Sequence, residues 1–121
     1  NAKTFYLLSK DISNYKINID IKSNQVKEKI IEIQTTLNLS TTKEGFEKIK
    51  TKIVYATLIE LSTEITDKKE IEKIILIKVP TDIYSELRKI FVFMFENSGF
   101  KEIKINETVD FQKLYDFRKI Q

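Results

Sequence analysis

Cysteine, histidine and tryptophan are all absent from this chain of 121 residues. The chain therefore cannot form a disulfide, use a thiol or an imidazole in catalysis, or bind zinc through its usual nitrogen and sulfur ligands. Glycine occurs only at Gly45 and Gly99, and neither lies in a glycine-rich turn of the kind that binds phosphate. Asp67, Asp82 and Asp110 lack the spacing of a calcium loop. We expect no cofactor, no metal site and no enzymatic activity.

The net charge is also small, at +3, because 18 aspartates and glutamates offset most of the 21 lysines and arginines. The two signs alternate along the chain. A nucleic-acid-binding surface usually has a basic stripe, and arginine, which suits phosphate and base recognition, occurs only at Arg88 and Arg118. No apolar stretch is long enough to cross a bilayer. The composition predicts one globular domain over residues 1–121, with no nucleic-acid and no small-molecule partner.

The segments that are present include several typical of β-strands. Residues 52–63 and 72–79 are rich in β-branched side chains and are separated by a short polar segment, so they predict a long β-hairpin that ends at Pro80. Residues 15–22 alternate between apolar and polar side chains, as in a strand with one buried face. Residues 3–8, which are largely apolar and aromatic, predict a further strand that opens the domain.

One segment has the period of a helix. From residue 23 onward, Val26, Ile30, Ile33 and Leu37 recur at a spacing that places them on one side of a helix, with charged side chains on the other. We therefore predict an amphipathic helix that covers the sheet and lies between its second and third strands. Residues 38–48 are predicted to form an irregular connection.

Residues 83–95 allow two interpretations, a helix or a strand. The unbroken apolar and aromatic run at residues 90–95 favours a core strand, because a helix would leave part of this run on its outer side. We therefore predict a strand at residues 88–95, a hairpin loop at residues 96–99 and a returning strand at residues 100–105.

Together these elements predict a mainly β fold, a small β-sandwich of about six to eight strands with a helical insertion between the second and third strands. If residues 83–95 form a helix instead, the order of elements predicts an α+β, ferredoxin-like sheet. That fold would suit a protein-interaction or nucleic-acid-binding module, with a cytoplasmic location as the alternative. Residues 108–121 have no period that separates a helix from a strand.

The segment between the first two predicted strands is the candidate partner-binding site. An apolar side chain, Ile12, stands there among polar residues at the tip of a predicted loop. Loops held by a rigid scaffold often carry binding residues. The predicted partner-binding residues are Ser9, Lys10, Asp11, Ile12, Ser13 and Asn14.

The order of these segments resembles that of a known family, the outer-membrane lipoprotein of the type VI secretion membrane complex (TssJ-like). Residues 4–22 are similar to the strand, loop and strand that open that family's domain. Residues 71–79, 89–97 and 100–105 are similar to its closing strands. Two features differ, because Asp67-Lys68-Lys69 stands where the family commonly has a Pro-Gly turn, and the acylated cysteine of a lipoprotein is not present.

This resemblance implies a non-enzymatic docking and anchor component of a bacterial secretion membrane complex, located at the periplasmic face of the outer membrane. The loop at residues 9–14 would then bind the periplasmic part of an inner-membrane secretion protein. A lipid-modified cysteine upstream of Asn1 would attach the protein to the outer membrane.

Overall fold

The computed structural model describes residues 2–12, 15–41, 50–62, 64, 67–97 and 105–120. Within them, four strands follow one another along the chain and form one antiparallel sheet in the order β1-β2-β3-β4. The strands are β1 (Ala2–Ile12), β2 (Tyr15–Lys27), β3 (Ile30–Thr41) and β4 (Lys50–Glu60).

The helices of the described residues come after the sheet. Helix α1 (Lys68–Lys73) continues through a wider π-helical turn (Ile74–Lys78) into α2 (Val79–Asn97). Helix α3 (Phe111–Ile120) follows near the end of the chain. Side chains of the sheet and of the helices share one apolar core, so the helices form a layer on one face of the sheet.

Alternation of side chains determines which face of the sheet is buried. In β2 and β3 the apolar residues stand at every second position, and successive side chains of a strand point to opposite faces. The opposite, outer face of these two strands is polar: the Asn38 amide nitrogen donates a hydrogen bond to a carboxylate oxygen of Asp20 at 3.2 Å. The fully or nearly fully buried apolar side chains of the sheet are Ile17, Ile19, Ile21, Ile31, Ile33, Leu37 and Leu39.

Helix α2 buries one stripe of large side chains against that face. Tyr84, Leu87, Phe91 and Phe95 recur every three or four residues, which matches the helical period and places them on one side. The rings of Phe91 and Phe95 lie 4.7 Å apart, and the Tyr84 ring meets Phe111 of α3 edge-on at 6.0 Å. The aromatic residues of α2 therefore connect the sheet to α3.

The π-helical turn lies directly before Pro80. A proline inside an α-helix lacks the amide hydrogen of its turn and crowds the carbonyl group four residues earlier. Here the Val79 amide donates to the Ile74 carbonyl oxygen, five residues back, so the turn before Pro80 is wider than an α-helical turn. The helix continues through Pro80 and buries it.

Asp110 stabilises the start of α3. Its carboxylate accepts a hydrogen bond from the Lys113 amide at 3.0 Å, which satisfies one of the four amides that the first turn leaves unpaired. We expect Asp110→Ala to lower the free energy of unfolding by about 0.5–2 kcal/mol in urea denaturation, and Asp110→Asn to keep most of that stability. An equal loss in both variants would contradict a capping role.

The helix predicted from residue 23 to Leu37 was wrong. Residues 23–27 continue β2, and Ile30 begins β3, so the first and second halves of the predicted helix are the two strands of a hairpin. Ile33 and Leu37 are buried because they lie on the inner face of β3, where the odd-numbered residues from 31 to 39 face the core. Val26, predicted to be buried, is half exposed. Residues 38–41 belong to β3, and the rest of the predicted irregular connection lies outside the described residues.

The second arm of the predicted hairpin and the predicted strand at residues 88–95 were also wrong, because both segments are helical. The first arm is β4, as predicted. Asp67 caps α1 by accepting a hydrogen bond from the Lys69 amide at 3.0 Å, where a hairpin turn had been predicted. The helical alternative for residues 83–95 was therefore correct, and Pro80 ends no strand.

The class of the fold is α+β, with an antiparallel sheet and a helical layer. Within the described residues the sheet is single, so the predicted β-sandwich was wrong. The four strands are consecutive in the chain, whereas a ferredoxin-like order would place a helix between the first and second strands. Part of the predicted loop at residues 96–99 belongs to α2, and residues 98–104, which include most of the predicted last strand, lie outside the described residues.

Candidate functional site

An open cleft of about 280 Å³ lies between the end of β4 and the helical layer. This volume is at the lower limit of typical ligand pockets, which suits one large side chain better than a cofactor. The cleft is bordered by polar residues, among them Thr57 and Ser62, but its apolar side chains are the larger part of its lining. They are Ile59, Leu61, Ile74, Val79 and Ile83.

The sheet supplies one wall of the cleft through the odd-numbered residues of β4. Thr57 and Ile59 point to the face that carries the helices, and both are only partly buried because β4 is the last strand of the described sheet. The backbone amide of Leu61 donates to the Lys29 carbonyl oxygen at 2.7 Å. This bond extends the pairing of β3 with β4 to the edge of the cleft and holds Leu61 there.

The helices supply the other wall. The π-helical turn carries Ile74 and Lys78 to the cleft, and the first turns of α2 carry Val79 and Ile83. On the opposite flank of α2, the Arg88 side chain donates to the Ile105 carbonyl oxygen at 3.2 Å. One flank of α2 is thus held by the backbone at Ile105, and the other flank faces the cleft.

Tyr84 makes the second contact that holds this flank. Its hydroxyl group donates a hydrogen bond to the Asn106 carbonyl oxygen at 2.7 Å. Burial raises the pKa of the Tyr84 phenol, and the neighbouring Arg88 guanidinium partly offsets that rise. The phenol therefore keeps its proton at neutral pH and remains a donor.

Charged side chains stand at the rim of the cleft, not in its interior. The Lys78 ammonium lies 3.1 Å from a carboxylate oxygen of Asp82, and both side chains are mostly exposed. Glu60 adds a second carboxylate at the rim. An exposed pair of this kind contributes little to stability, so the rim stays hydrated while the interior is apolar.

The composition of this lining suits the binding of apolar groups. The polar side chains among its lining residues are two hydroxyl groups, two carboxylates and one lysine. Among the described residues, no group of three or more carboxylates could hold a metal ion. The helices of this part of the chain also include none that is long and apolar enough to span a membrane.

Further apolar side chains of α2 and β4 are exposed outside the lining of the cleft. Ile90 and Met94 are each more than 40% exposed, and the helical period places them on the same flank of α2 as Ile83. On the other face of the sheet, Val54 and Leu58 of β4 are exposed. Exposed apolar side chains of this kind can contribute to binding surfaces when they form a patch.

The predicted partner-binding residues lie elsewhere. Ser9 to Ile12 belong to β1, where they pair with residues 15–18 of β2, and Ser13 and Asn14 are outside the described residues. Strand β1 is at the opposite edge of the sheet from β4, so the structure does not bring these residues to the cleft. Their role in binding a partner stays a prediction.

The cleft residues were not predicted as a site. Alternation in β4 did identify Ile59 and Leu61 as neighbours on one face. The missing signal was the helical spacing of Ile74 and Val79 with Ile83, which the β-branched composition of this segment obscured.

Comparison with known proteins gives two matches to one family. A family described as "Preprotein translocase subunit SecB" matches residues 1–121. A protein of Pelagibacter ubique (strain HTCC1062), named as a protein-export protein SecB, is 41% identical over 118 residues, which is 98% of this chain and 84% of that protein. No solved structure matches this chain.

Proposed function

Since the chain belongs to the SecB family, we propose that it acts in protein export as a chaperone that binds preproteins before they fold. The names of the family and of the relative from Pelagibacter ubique support a role with preproteins and their translocase. Binding of this kind needs no catalysis. The proposed location is the cytoplasm, which was the alternative in the sequence-based prediction.

Family membership overturns the resemblance to the type VI secretion lipoprotein. A match to SecB over the whole chain contradicts an anchor at the outer membrane, a periplasmic location and an inner-membrane secretion protein as partner. The resemblance depended on the order of predicted strands, and much of that order was wrong because residues 68–97 are helical. A pattern of elements that is misassigned at residues 23–37, 72–79 and 88–95 cannot identify a family.

The observation that carries the proposed function is the apolar cleft beside β4. An unfolded chain exposes large apolar side chains, and transferring one of them from water to an apolar site contributes about 1.5–3 kcal/mol. A cleft of about 280 Å³ can take such a side chain, and the hydrated rim around Lys78 and Asp82 can contact the flanking backbone. Because the cleft is open, the rest of the bound chain can extend across the surface.

Replacing Ile83 with aspartate tests this proposal. The carboxylate would be desolvated whenever an apolar side chain entered the cleft, so we expect Ile83→Asp to weaken binding of an unfolded preprotein about 10- to 100-fold. Binding is measured by fluorescence anisotropy of a labelled preprotein diluted from denaturant into the full chain.

Ser85→Asp is the matched control, because Ser85 is exposed and lies on the opposite side of α2. It should leave the affinity unchanged. Leu61→Asp places the same charge on the sheet side of the cleft and should weaken binding as Ile83→Asp does, which separates a cleft effect from damage to α2. Circular dichroism checks that each variant is folded. Wild-type affinity in both folded cleft variants would contradict the proposal.

A further inference from the structure

The sheet buries two threonine hydroxyl groups on the face that carries the helices. They belong to Thr35 of β3 and Thr57 of β4, and neither Oγ1 atom has a hydrogen-bond partner within the part of the chain that the structure describes. Buried polar groups are usually paired, because removing a hydroxyl group from water without a new hydrogen bond costs free energy. A hydrogen bond from a bound molecule to such a group would therefore be favourable.

Of these two threonines, Thr57 lines the cleft. It is only partly buried, and it borders the cleft together with Ile59 on the same face of β4. Thr35 is 1% exposed and pairs across the ladder with Tyr55, so it lies in the core and does not line the cleft. A molecule that enters the cleft can therefore contact Thr57 but not Thr35.

The hydroxyl group of Thr57 is covered, although other atoms of the residue are exposed. The staggered positions about the Cα–Cβ bond are about 120° apart, so one rotation exchanges the hydroxyl group with the methyl group. These two groups are similar in size, and the hydroxyl group breaks no hydrogen bond to another described residue when it rotates. Thr57 can thus turn its hydroxyl group toward a molecule in the cleft.

The other polar side chains that line the cleft are at its rim or already paired. The Ser62 hydroxyl group accepts a hydrogen bond from the Glu64 amide at 3.3 Å. The Lys78 ammonium lies 3.1 Å from a carboxylate oxygen of Asp82, and both side chains are mostly exposed. Thr57 is thus the lining residue whose buried hydroxyl group has no partner among the described residues.

An apolar cleft with one buried hydroxyl group suits a side chain that has a large apolar body and one polar atom at its tip. Tyrosine has this form, and its phenol hydroxyl group both donates and accepts hydrogen bonds. That hydroxyl group lies on the long axis of the ring, so it reaches the interior of the cleft first. Tryptophan carries its N–H on the side of the ring, and lysine or arginine would lose the hydration of a charge.

We propose that Thr57 makes the cleft selective for a phenol ring, the side chain of tyrosine, by forming a hydrogen bond with the phenol hydroxyl group. This selectivity rests on the proposed function, since the tyrosine would belong to an unfolded preprotein. Without the Thr57 hydroxyl group the cleft would favour phenylalanine, because a phenol would then lose its hydration with no hydrogen bond in exchange. One hydroxyl group in the wall thus decides which of two similar rings binds more tightly.

Two labelled unfolded polypeptides, which differ only in carrying one tyrosine or one phenylalanine among polar residues, test the proposal. Fluorescence anisotropy measures their binding to the full chain. We expect the wild type to bind the tyrosine polypeptide about 3- to 10-fold more tightly than the phenylalanine polypeptide. Thr57→Val keeps the shape of the side chain and removes the hydroxyl group, so it should bind the phenylalanine polypeptide more tightly. Thr57→Ser keeps the hydroxyl group and should keep the preference for tyrosine.

Thr35→Val is the matched control, because it makes the same change to the other unpaired hydroxyl group, one strand away and outside the lining of the cleft. It should leave the preference for tyrosine unchanged. Circular dichroism checks that each variant is folded. A preference that is the same in the wild type and in Thr57→Val, or that is lost equally in Thr35→Val, would overturn the proposal.

Titration with p-cresol and with toluene separates this proposal from the proposed function, because these molecules present the two rings without any preprotein. Followed by NMR of the isoleucine methyl groups, p-cresol should bind the wild type more tightly than toluene, and Thr57→Val should reverse the order. If this order holds while neither polypeptide binds, the selectivity of the cleft is supported and the proposed function fails. If both polypeptides bind equally well and toluene binds as tightly as p-cresol, the selectivity is overturned and the proposed function stands.

Discussion

Phe91→Ala is expected to lower the free energy of unfolding by about 3–5 kcal/mol, whereas Phe93→Ala should change it by less than about 0.5 kcal/mol. Phe91 is fully buried under the sheet and its ring lies 4.7 Å from that of Phe95. Phe93 is two residues away and 66% exposed, because two residues of a helix turn the side chain through about 200°. Truncating Phe91 therefore leaves a cavity and truncating Phe93 does not.

Urea denaturation followed by circular dichroism measures both changes on the full chain. The two variants remove the same atoms from the same element, so each controls for the other. A strand at residues 88–95 would place Phe91 and Phe93 on one face and give similar losses for both. Similar losses would therefore contradict the helical assignment of this segment.

A second pair of variants tests the β2-β3 hairpin. Leu39→Ala should cost about 2–5 kcal/mol of unfolding free energy, because Leu39 is fully buried on the inner face of β3. Val26→Ala should cost less than about 0.5 kcal/mol, because Val26 is half exposed near the end of β2.

The same denaturation experiment separates the hairpin from the helix predicted between residues 23 and 37. In that helix Val26 would be a core residue, and Leu39 would lie in an irregular connection. A larger loss for Val26→Ala than for Leu39→Ala would support the helix and contradict the sheet register. The pairing of Leu39 with Ile17 in β2 requires the opposite order.

Strands with clear alternation could be predicted from the sequence. Residues 15–22 alternate between apolar and polar side chains, and they lie in β2. Residues 52–60 are rich in β-branched side chains, and they lie in β4. In these segments the local preference for a strand agrees with the pattern of burial, so the sequence pattern alone is sufficient to assign the strand. Residues 3–8 were also correctly assigned to a strand, although β1 is longer at both ends.

The β2-β3 hairpin was missed because its turn has an unusual sequence. Two-residue hairpin turns usually contain glycine or asparagine where the backbone φ angle is positive. Here the turn is Glu28-Lys29, and Lys29 has a φ of 67°. Without a turn signal, the spacing of Val26, Ile30, Ile33 and Leu37 fits a helix as well as it fits two strands.

The helical layer was missed for a different reason. Residues 71–79 and 90–95 are rich in isoleucine, valine and phenylalanine, which favour strands when considered locally. Burial outweighs this local preference, because a helix allows Leu76, Leu87 and Phe91 all to face the same sheet. The cleft could not be predicted, since its walls come from β4 and from residues 74–83, and it exists only if the second segment is helical.

Site-specific photo-crosslinking at position 83 shows whether an unfolded preprotein binds in the cleft. The photoreactive residue p-benzoylphenylalanine replaces Ile83 in one variant of the full chain and Ser85 in another, and each is irradiated with an unfolded preprotein or with the same protein after folding. We expect a cross-link from position 83 to the unfolded form only, with none from position 85. A preprotein complex that forms without a cross-link from position 83, or that cross-links equally from position 85, would contradict binding in the cleft.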